Sequence, residues 1–317
     1  MKLKLILAVA LIHQAAFSAP YYRFWRGYKR TNHVKMVATD GVKSFVDDPT
    51  RPMSWADFES LVNRWLIPAT TSCCAESSLV AYLPALLAEG TKENGVHDEI
   101  ALIVYRSEEA YKKTREDKSN LEAQVYGPLH GDVFAIGDTK AENLEDRERT
   151  SRSLVPVPFM GDVDLTPNEK NFFLPEAAYD VLDRNLDWQS GHTVVRVSLV
   201  NLTPDSVERL NRYLREMKVA ADAIGLEGYT TLITQHYVIE YMNWADRRAW
   251  SEYLKSPVAR DFKNLTSKIV LETPAQPLQP DVAADPLLYQ TLKFGHAGNI
   301  RFQPGKKPTP KANHPRL

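Results

Sequence analysis

The sequence predicts an α+β fold built from two similar units, and three observations predict it. Tyr237–Pro257 reads as a strand, a sharp turn and a helix. Part of that pattern occurs a second time, at Glu99–Thr114. The chain has 317 residues, enough for two domains of ordinary size.

Tyr237–Met242 is aromatic and β-branched, which suits a pleated surface. Asp246 is placed to cap the next helix, its carboxylate accepting from the first free N–H groups. Ala249, Trp250, Tyr253 and Leu254 then recur at helical spacing. Ser256-Pro257 ends that helix and starts another, whose stripe runs Phe262, Leu265 and Ile269. In the earlier copy a strand again ends in an aromatic residue, Tyr105. Ser107 stands where Asp246 does, and Ala110 stands where Ala249 does. Two copies of aromatic-x-(Ser/Asp)-x-x-Ala point to an internal repeat.

Taken in order, Met1–Ser18 has the form of a secretory leader. Lys2 and Lys4 are its basic end, Leu3–Leu11 its apolar run, and Ala16-Phe17-Ser18 its cleavage signal, so the mature chain is expected to start at Ala19 and to be secreted or periplasmic. Aromatic and basic residues then alternate over Tyr21–Arg30. Such a patch suits base stacking or a membrane surface, but more commonly it is an arm packing its rings on a domain. His33–Ala38 reads as the first strand. Ser54–Leu66 reads as a helix, with Ser54 and Asp57 as a capping box and Trp55, Phe58, Leu61, Val62, Trp65 and Leu66 as its inner face. Cys73 and Cys74 are the only cysteines. Adjacent α-carbons lie ~3.8 Å apart, below the usual disulfide range, so two buried thiols are expected. Leu79–Ala88 reads as a helix despite Pro84, Ile100–Tyr105 as a strand, and Tyr126–Phe134 as a last strand or loop. The charged stretch Lys140–Arg152 reads as a linker or an exposed helix. Leu154–Leu174 reads as a connecting loop and Tyr179–Leu186 as a short helix.

Thr193–Val200 opens the later unit as a strand. Thr203 caps a helix with Pro204 in its first turn, the stripe Val207, Leu210, Leu214, Met217, Ala221 and Ile224, and Gly225 at its end. The strand Tyr229–Gln235, the Tyr237 strand, the helices and Ile269–Leu271 follow. That order, β-α-β-β-α-β, is a ferredoxin-like unit. The expected organisation is a leader (1–18), a first unit (19–139), a linker (140–190), a second unit (191–273) and a proline-rich tail (274–317).

The residues Trp244, Asp246, Ala249 and Ser256 resemble the antibiotic-biosynthesis-monooxygenase type of dimeric α/β-barrel proteins, whose motif is Trp, Ser/Asp, then Ala-x-x-x-His-x-x-Ser. Tyr253 stands where that family usually has His. The likeness is best over Thr193–Leu271 and weaker over His33–Phe134. It implies that two ferredoxin-like units in tandem close, within one chain, the barrel that the family closes by dimerisation. It also implies a cofactor-independent monooxygenase. Tyr253 in place of His argues against haem degradation, since a buried phenol is a poor ligand for a reducible iron. Tyr253 is expected to be a core residue with its hydroxyl hydrogen-bonded.

Candidate ligand-binding residues follow from position. Arg196 shares a strand face with Val194, Ser198 and Val200, so it needs an anionic ligand or a salt bridge at the sheet's rim. Asn243 beside Trp244 offers an amide and an indole to a flat substrate, although a core Trp is the commoner arrangement. His236 lies at a strand-to-strand turn, and His130 is in a loop flanked by Gly127 and Gly131, where a ligand can approach. Phosphate-loop, dinucleotide, Gly-x-Ser-x-Gly and His-Glu-x-x-His motifs are absent, and no metal-ligand spacing occurs. Hence no cofactor and no metal are expected. A net charge of −1 gives no global attraction for nucleic acid. Asn201-Leu202-Thr203 and Asn264-Leu265-Thr266 fit a glycosylation acceptor, the first hindered by Pro204. Three functions stay open: a binder of a small apolar or aromatic ligand, a cofactor-independent monooxygenase, and an interaction protein with a degenerate pocket. The sequence leaves the oligomeric state open.

Overall fold

The computed structural model describes residues 20–39, 42–62, 66, 79–90, 95–115, 133–134, 153–156, 177–182, 184, 186, 188, 190–201, 203–234, 236–278 and 296–301. The leader, Cys73-Cys74, His130, Lys140–Arg152 and the last residues of the chain lie outside them.

Strands β1 (Tyr21–Gly27), β4 (Leu79–Leu86), β5 (Glu99–Tyr105) and β6 (Ser153–Pro156) form one sheet with helices α1 (Trp55–Leu61) and α2 (Glu108–Arg115) between them in the chain. Strands β8 (His192–Val200), β9 (Leu226–Ile233), β10 (Tyr237–Trp244) and β11 (Thr266–Pro274) form a second, with α3 (Pro204–Ile224), α4 (Arg247–Tyr253) and α5 (Pro257–Leu265). In space the orders are β6-β1-β5-β4 and β11-β8-β10-β9. Both are the fourth-first-third-second order of a β-α-β-β-α-β unit. Each sheet grows at its second-strand edge. β7 (Ala177–Asp180), just after β6, joins β9, while β12 (Gln276–Leu278) and β13 (His296–Arg301), after β11, extend the first sheet beside β4. The fold is therefore α+β, with antiparallel ladders except for the parallel pair β12–β13. The sheets remain separate and open, so the expected closed barrel is not seen among the described residues.

The local chemistry of the two units coincides in register. Tyr105 pairs with Tyr21 on one side and Leu79 on the other, and the register slips between Leu79 and Ala81. Trp244 pairs with His192 and Leu226, and the register slips next to it. After each strand a side chain caps the helix: Ala110 N donates to Ser107 Oγ at 3.0 Å, and Ala249 N to Asp246 Oδ1 at 2.8 Å. Tyr105 meets Tyr111 as Trp244 meets Trp250.

Strand alternation sorts the apolar residues into three layers. Trp25, Tyr82 and Ile103 face α1 with Trp55 and Phe58. Tyr22, Phe24, Leu83 and Leu102 meet Val195, Val197, Ile239 and Tyr241 between the sheets. Val194, Val238 and Met242 face α3 to α5. The Tyr241 hydroxyl donates to Ile100 O across the inner layer at 3.0 Å.

Several expectations need correction. Tyr21–Arg30 supplies the first strand of its sheet rather than an arm, with Tyr22 and Phe24 in the inner layer and Trp25 toward α1. His33–Ala38 instead lies in β2 (Asn32–Thr39), which pairs only with β3 (Val42–Pro52) in a two-stranded ribbon. Leu79–Leu86, most of the expected helix Leu79–Ala88, forms a strand instead. It is apolar throughout because both its faces are covered, and such a run shows no period. Pro84 is accommodated because the β4–β13 pairing skips it. The fourth strand of the first sheet is Ser153–Pro156, taken from the expected linker and loop; of Tyr126–Phe134, expected as a last strand or loop, only Val133 and Phe134 lie within the described residues, and Phe134 makes an isolated bridge to Lys29. Tyr179 sits in strand β7 rather than a helix, and the expected proline-rich tail contributes β12 and β13. No helix among the described residues is long and apolar enough to cross a membrane.

Candidate functional site

Arg196 is fully buried on the helix side of the second sheet, opposite Glu240 in the β8–β10 ladder. Its Nε donates to Glu240 Oε2 at 2.7 Å, and its Nη2 to the hydroxyls of Tyr213 at 2.8 Å and Tyr253 at 3.1 Å. Tyr213 and Tyr229 both donate to Glu240 Oε1, at 3.0 and 2.5 Å. The guanidinium carbon lies 3.8 Å from the Phe262 ring centre, within cation–π range. Three strands and helices α3, α4 and α5 thus converge on one charge pair. Burial opposes the charge on Arg196, but Glu240 and the surrounding hydroxyls hold it protonated. Burial, with the Glu240 carboxylate beside them, pushes the Tyr213 and Tyr229 phenols well above their ordinary range. Burial raises Tyr253 too, against the pull of Arg196.

Trp244 closes one end of this layer. It is fully buried, with Tyr253 at 4.8 Å and Trp250 at 5.5 Å between ring centres. Side chains fill the space around it. Among the described residues two nitrogens make no hydrogen bond: Trp244 Nε1, and Arg196 Nη1, which forms an ion pair with Glu272 at 3.7 Å. Tyr253 is the core residue with a bonded hydroxyl that its position on the apolar stripe implies.

The structure brings Arg196 and Trp244 to one face and takes the other candidates away. Asn243, one residue before Trp244, points to the inner layer, where its Oδ1 accepts from Thr193 Oγ1 at 3.2 Å. An amide and an indole on successive strand residues cannot share a substrate face. His236 is exposed in the β9–β10 turn and packs against Gly95. Arg196 has its salt bridge in the buried middle of the sheet instead of at the rim. Glu240, Tyr213 and Tyr229 were not singled out from the sequence. The one available signal was a glutamate alone in an otherwise apolar strand, and its match to Arg196 depends on register. Among the described residues, no three His, Cys, Asp or Glu side chains gather as a metal site.

A second buried carboxyl lies in the first unit. Glu99 accepts from Tyr82 Oη at 2.6 Å and Trp25 Nε1 at 3.0 Å. Burial pushes its pKa up to about 7, against the pull of both donors. Trp25 is opposite Ala101 as Arg196 is opposite Glu240, counting each from the aromatic end of the third strand.

No known family matches the chain by sequence, and no curated protein matches it. Similar solved structures include a candidate monooxygenase from Fusobacterium nucleatum, 8% identical, covering 81% of this chain and 95% of that one at a TM-score of 0.37. A second candidate monooxygenase, from Lactobacillus acidophilus, is 10% identical, covering 81% and 96% at 0.37. An anthrone oxidase-like protein is 12% identical, covering 81% and 93% at 0.32. Scores at this level leave the fold and the site to rest on the chain's own topology and contacts.

Proposed function

We propose that this chain is a secreted binding protein for a small aromatic ligand, held between the second sheet and its helices. The observation that carries this reading is the buried Arg196–Glu240 pair with its three tyrosines and two nitrogens that make no hydrogen bond. Removing two charges from water costs several kcal/mol per ion, and a layer needed only for packing is as stable or more so when apolar (roughly 1–4 kcal/mol). A retained charge pair beside nitrogens that make no hydrogen bond suits an oxygen-bearing ring, a phenol or phenolate, bound against Arg196 and Trp244. On this reading the two units arose by duplication and stack as a barrel within one chain, the first running past the expected 19–139 to include β6 and the second ending with β11. His236, exposed in the β9–β10 turn, lies away from this site, and His130 lies outside the described residues.

A second reading is favoured by the packing of Trp250 and Tyr253 over Trp244, which fills the layer: the site is then a degenerate scaffold. The resemblance to antibiotic-biosynthesis monooxygenases supplies the enzymatic alternative, in which the bound phenol is oxygenated. Fluorescence titration with 1-naphthol separates them. The binding reading expects a saturable signal that is lost when Arg196→Met and Glu240→Leu are combined. The scaffold reading expects no signal in the wild type. Oxygen uptake with bound 1-naphthol marks the enzyme.

A further inference from the structure

The inner layer holds a second set of buried polar groups, independent of the Arg196 cluster. Asn243 and Thr230 are both fully buried, and neither Asn243 Nδ2 nor Thr230 Oγ1 has a partner. They lie on adjacent strands. Asn243 is level with Gly228, and Thr230 is two residues further along β9 and level with Tyr241. Alternation turns both toward the first sheet, as it does Tyr241. Diagonal neighbours on a sheet face sit roughly 7 Å apart, so one small molecule can touch both.

Leu186, Trp188 and Gly191, between β7 and β8, lie against Gly228 and Asn243. A Cβ on Gly228 would fall 2.3 Å from Leu186 Cδ2 and 3.3 Å from Trp188 Cζ2, so those two side chains fill the space a larger residue would occupy. A Cβ on Gly191 would fall 2.7 Å from Asn243 Oδ1 and 3.1 Å from Nδ2, so the amide lies directly against this connection's backbone. Trp188 and Gly191 have φ of 60° and 78°, a left-handed conformation that a tryptophan rarely adopts. Arg184 donates to Leu226 O at 2.9 Å, and Tyr22 Oη of the inner layer donates to Leu186 O at 2.9 Å. Unpaired buried amide and hydroxyl groups lose their hydration without recompense, and apolar side chains laid over them recover none of it.

We propose that Asn243, Thr230 and Thr193 form the polar floor of a ligand site between the two sheets, for which Leu186 and Trp188 are a displaceable plug. The ligand is a small, flat, neutral molecule with a hydrogen-bond acceptor. Asn243 Nδ2 donates to that acceptor and Thr230 adds a second contact. Asp180, beside Thr230 in the β7–β9 ladder, disfavours an anion.

Acetophenone is the probe, with propylbenzene as a control of similar size lacking the acceptor. Calorimetric titration of the full chain is expected to give acetophenone binding at least tenfold tighter than propylbenzene. Thr230→Val, nearly isosteric, is expected to weaken it several-fold and Asn243→Leu at least tenfold. Trp188→Ala, which removes the plug, is expected to strengthen it. Circular dichroism identifies any variant that fails to fold, and Thr230→Val alone then decides. Three outcomes overturn the proposal: no acetophenone binding in the wild type, equal affinity for both probes, or equal affinity in Thr230→Val. So does a crystal structure grown with acetophenone in which water joins Asn243 Nδ2 to Thr230 Oγ1 beneath an unmoved Trp188. Since Arg196 lies on the opposite face, the Arg196→Met/Glu240→Leu variant is expected to keep acetophenone binding, which separates this site from the phenol site.

Discussion

Single buried charges set how this fold responds to pH and to substitution. Glu99 has an ordinary pKa of 4.5, raised by burial to about 7. Its neutral form suits the folded state, so its contribution is complete below pH 4.5 and disappears as pH rises through 7. The loss amounts to about 3 kcal/mol. Urea unfolding midpoints should therefore fall between pH 4.5 and 8, and Glu99→Gln should flatten that slope; an unchanged slope in the variant would assign it to other groups. Arg196 shows the companion effect. Arg196→Met alone strands the Glu240 carboxylate among tyrosines and should cost about 3–5 kcal/mol, whereas adding Glu240→Leu should restore most of it. Denaturant titration of the two variants side by side checks the difference.

At the scale of elements, the third strand of each unit and its capped helix turn behave as one device. The strand ends in a large ring, a bulge re-aims the neighbouring strand, and a side-chain oxygen starts the helix. Asp246→Ala removes the oxygen that accepts from Ala249 N and should cost about 1 kcal/mol. Gly225 ends α3 at φ 70°, and a Cβ there would come within 3.0 Å of Ala249 Cβ on α4. Gly225→Ala should therefore cost more than the ~1–2 kcal/mol of left-handed strain alone. Thermal melts rank the two, with the glycine variant lower. The β2–β3 ribbon differs from these elements: it is an isolated pair with Met36 and Val46 exposed, and such pairs are marginal alone.

The whole molecule depends on an apolar layer that neither unit can bury by itself. Val195, Val197, Leu232, Ile239 and Tyr241 of the second sheet pack against Tyr22, Phe24, Leu83 and Leu102 of the first, with Leu186 and Trp188 beside them. Expressed alone, residues 191–275 should therefore pair with a second copy through that face. Light scattering should report a dimer, and a stable monomer would contradict the stacking of the two units. The strands after β6 and β11 reinforce it, since each leaves its own sheet for an edge of the other.

The sequence by itself determined what local chemistry controls. The caps at Ser54, Asp246, Ser256 and Thr203, the stripe of α3, the strand Tyr237–Trp244 and the repeated aromatic-to-cap spacing all act within a few residues and are readable as pattern. Tertiary structure decided the rest. Leu79–Leu86 is buried on both faces, which erases the alternation that marks a strand. β6, β7 and β12 are short edge strands and β13 lies next to an edge, all held by ladders to other segments, so their own residues carry little signal. Only register put Glu240 opposite Arg196, and it decided which face of the sheet took Trp244 and which took Asn243. A one-residue shift reverses every side chain's face, and the pairing of remote strands fixes that shift.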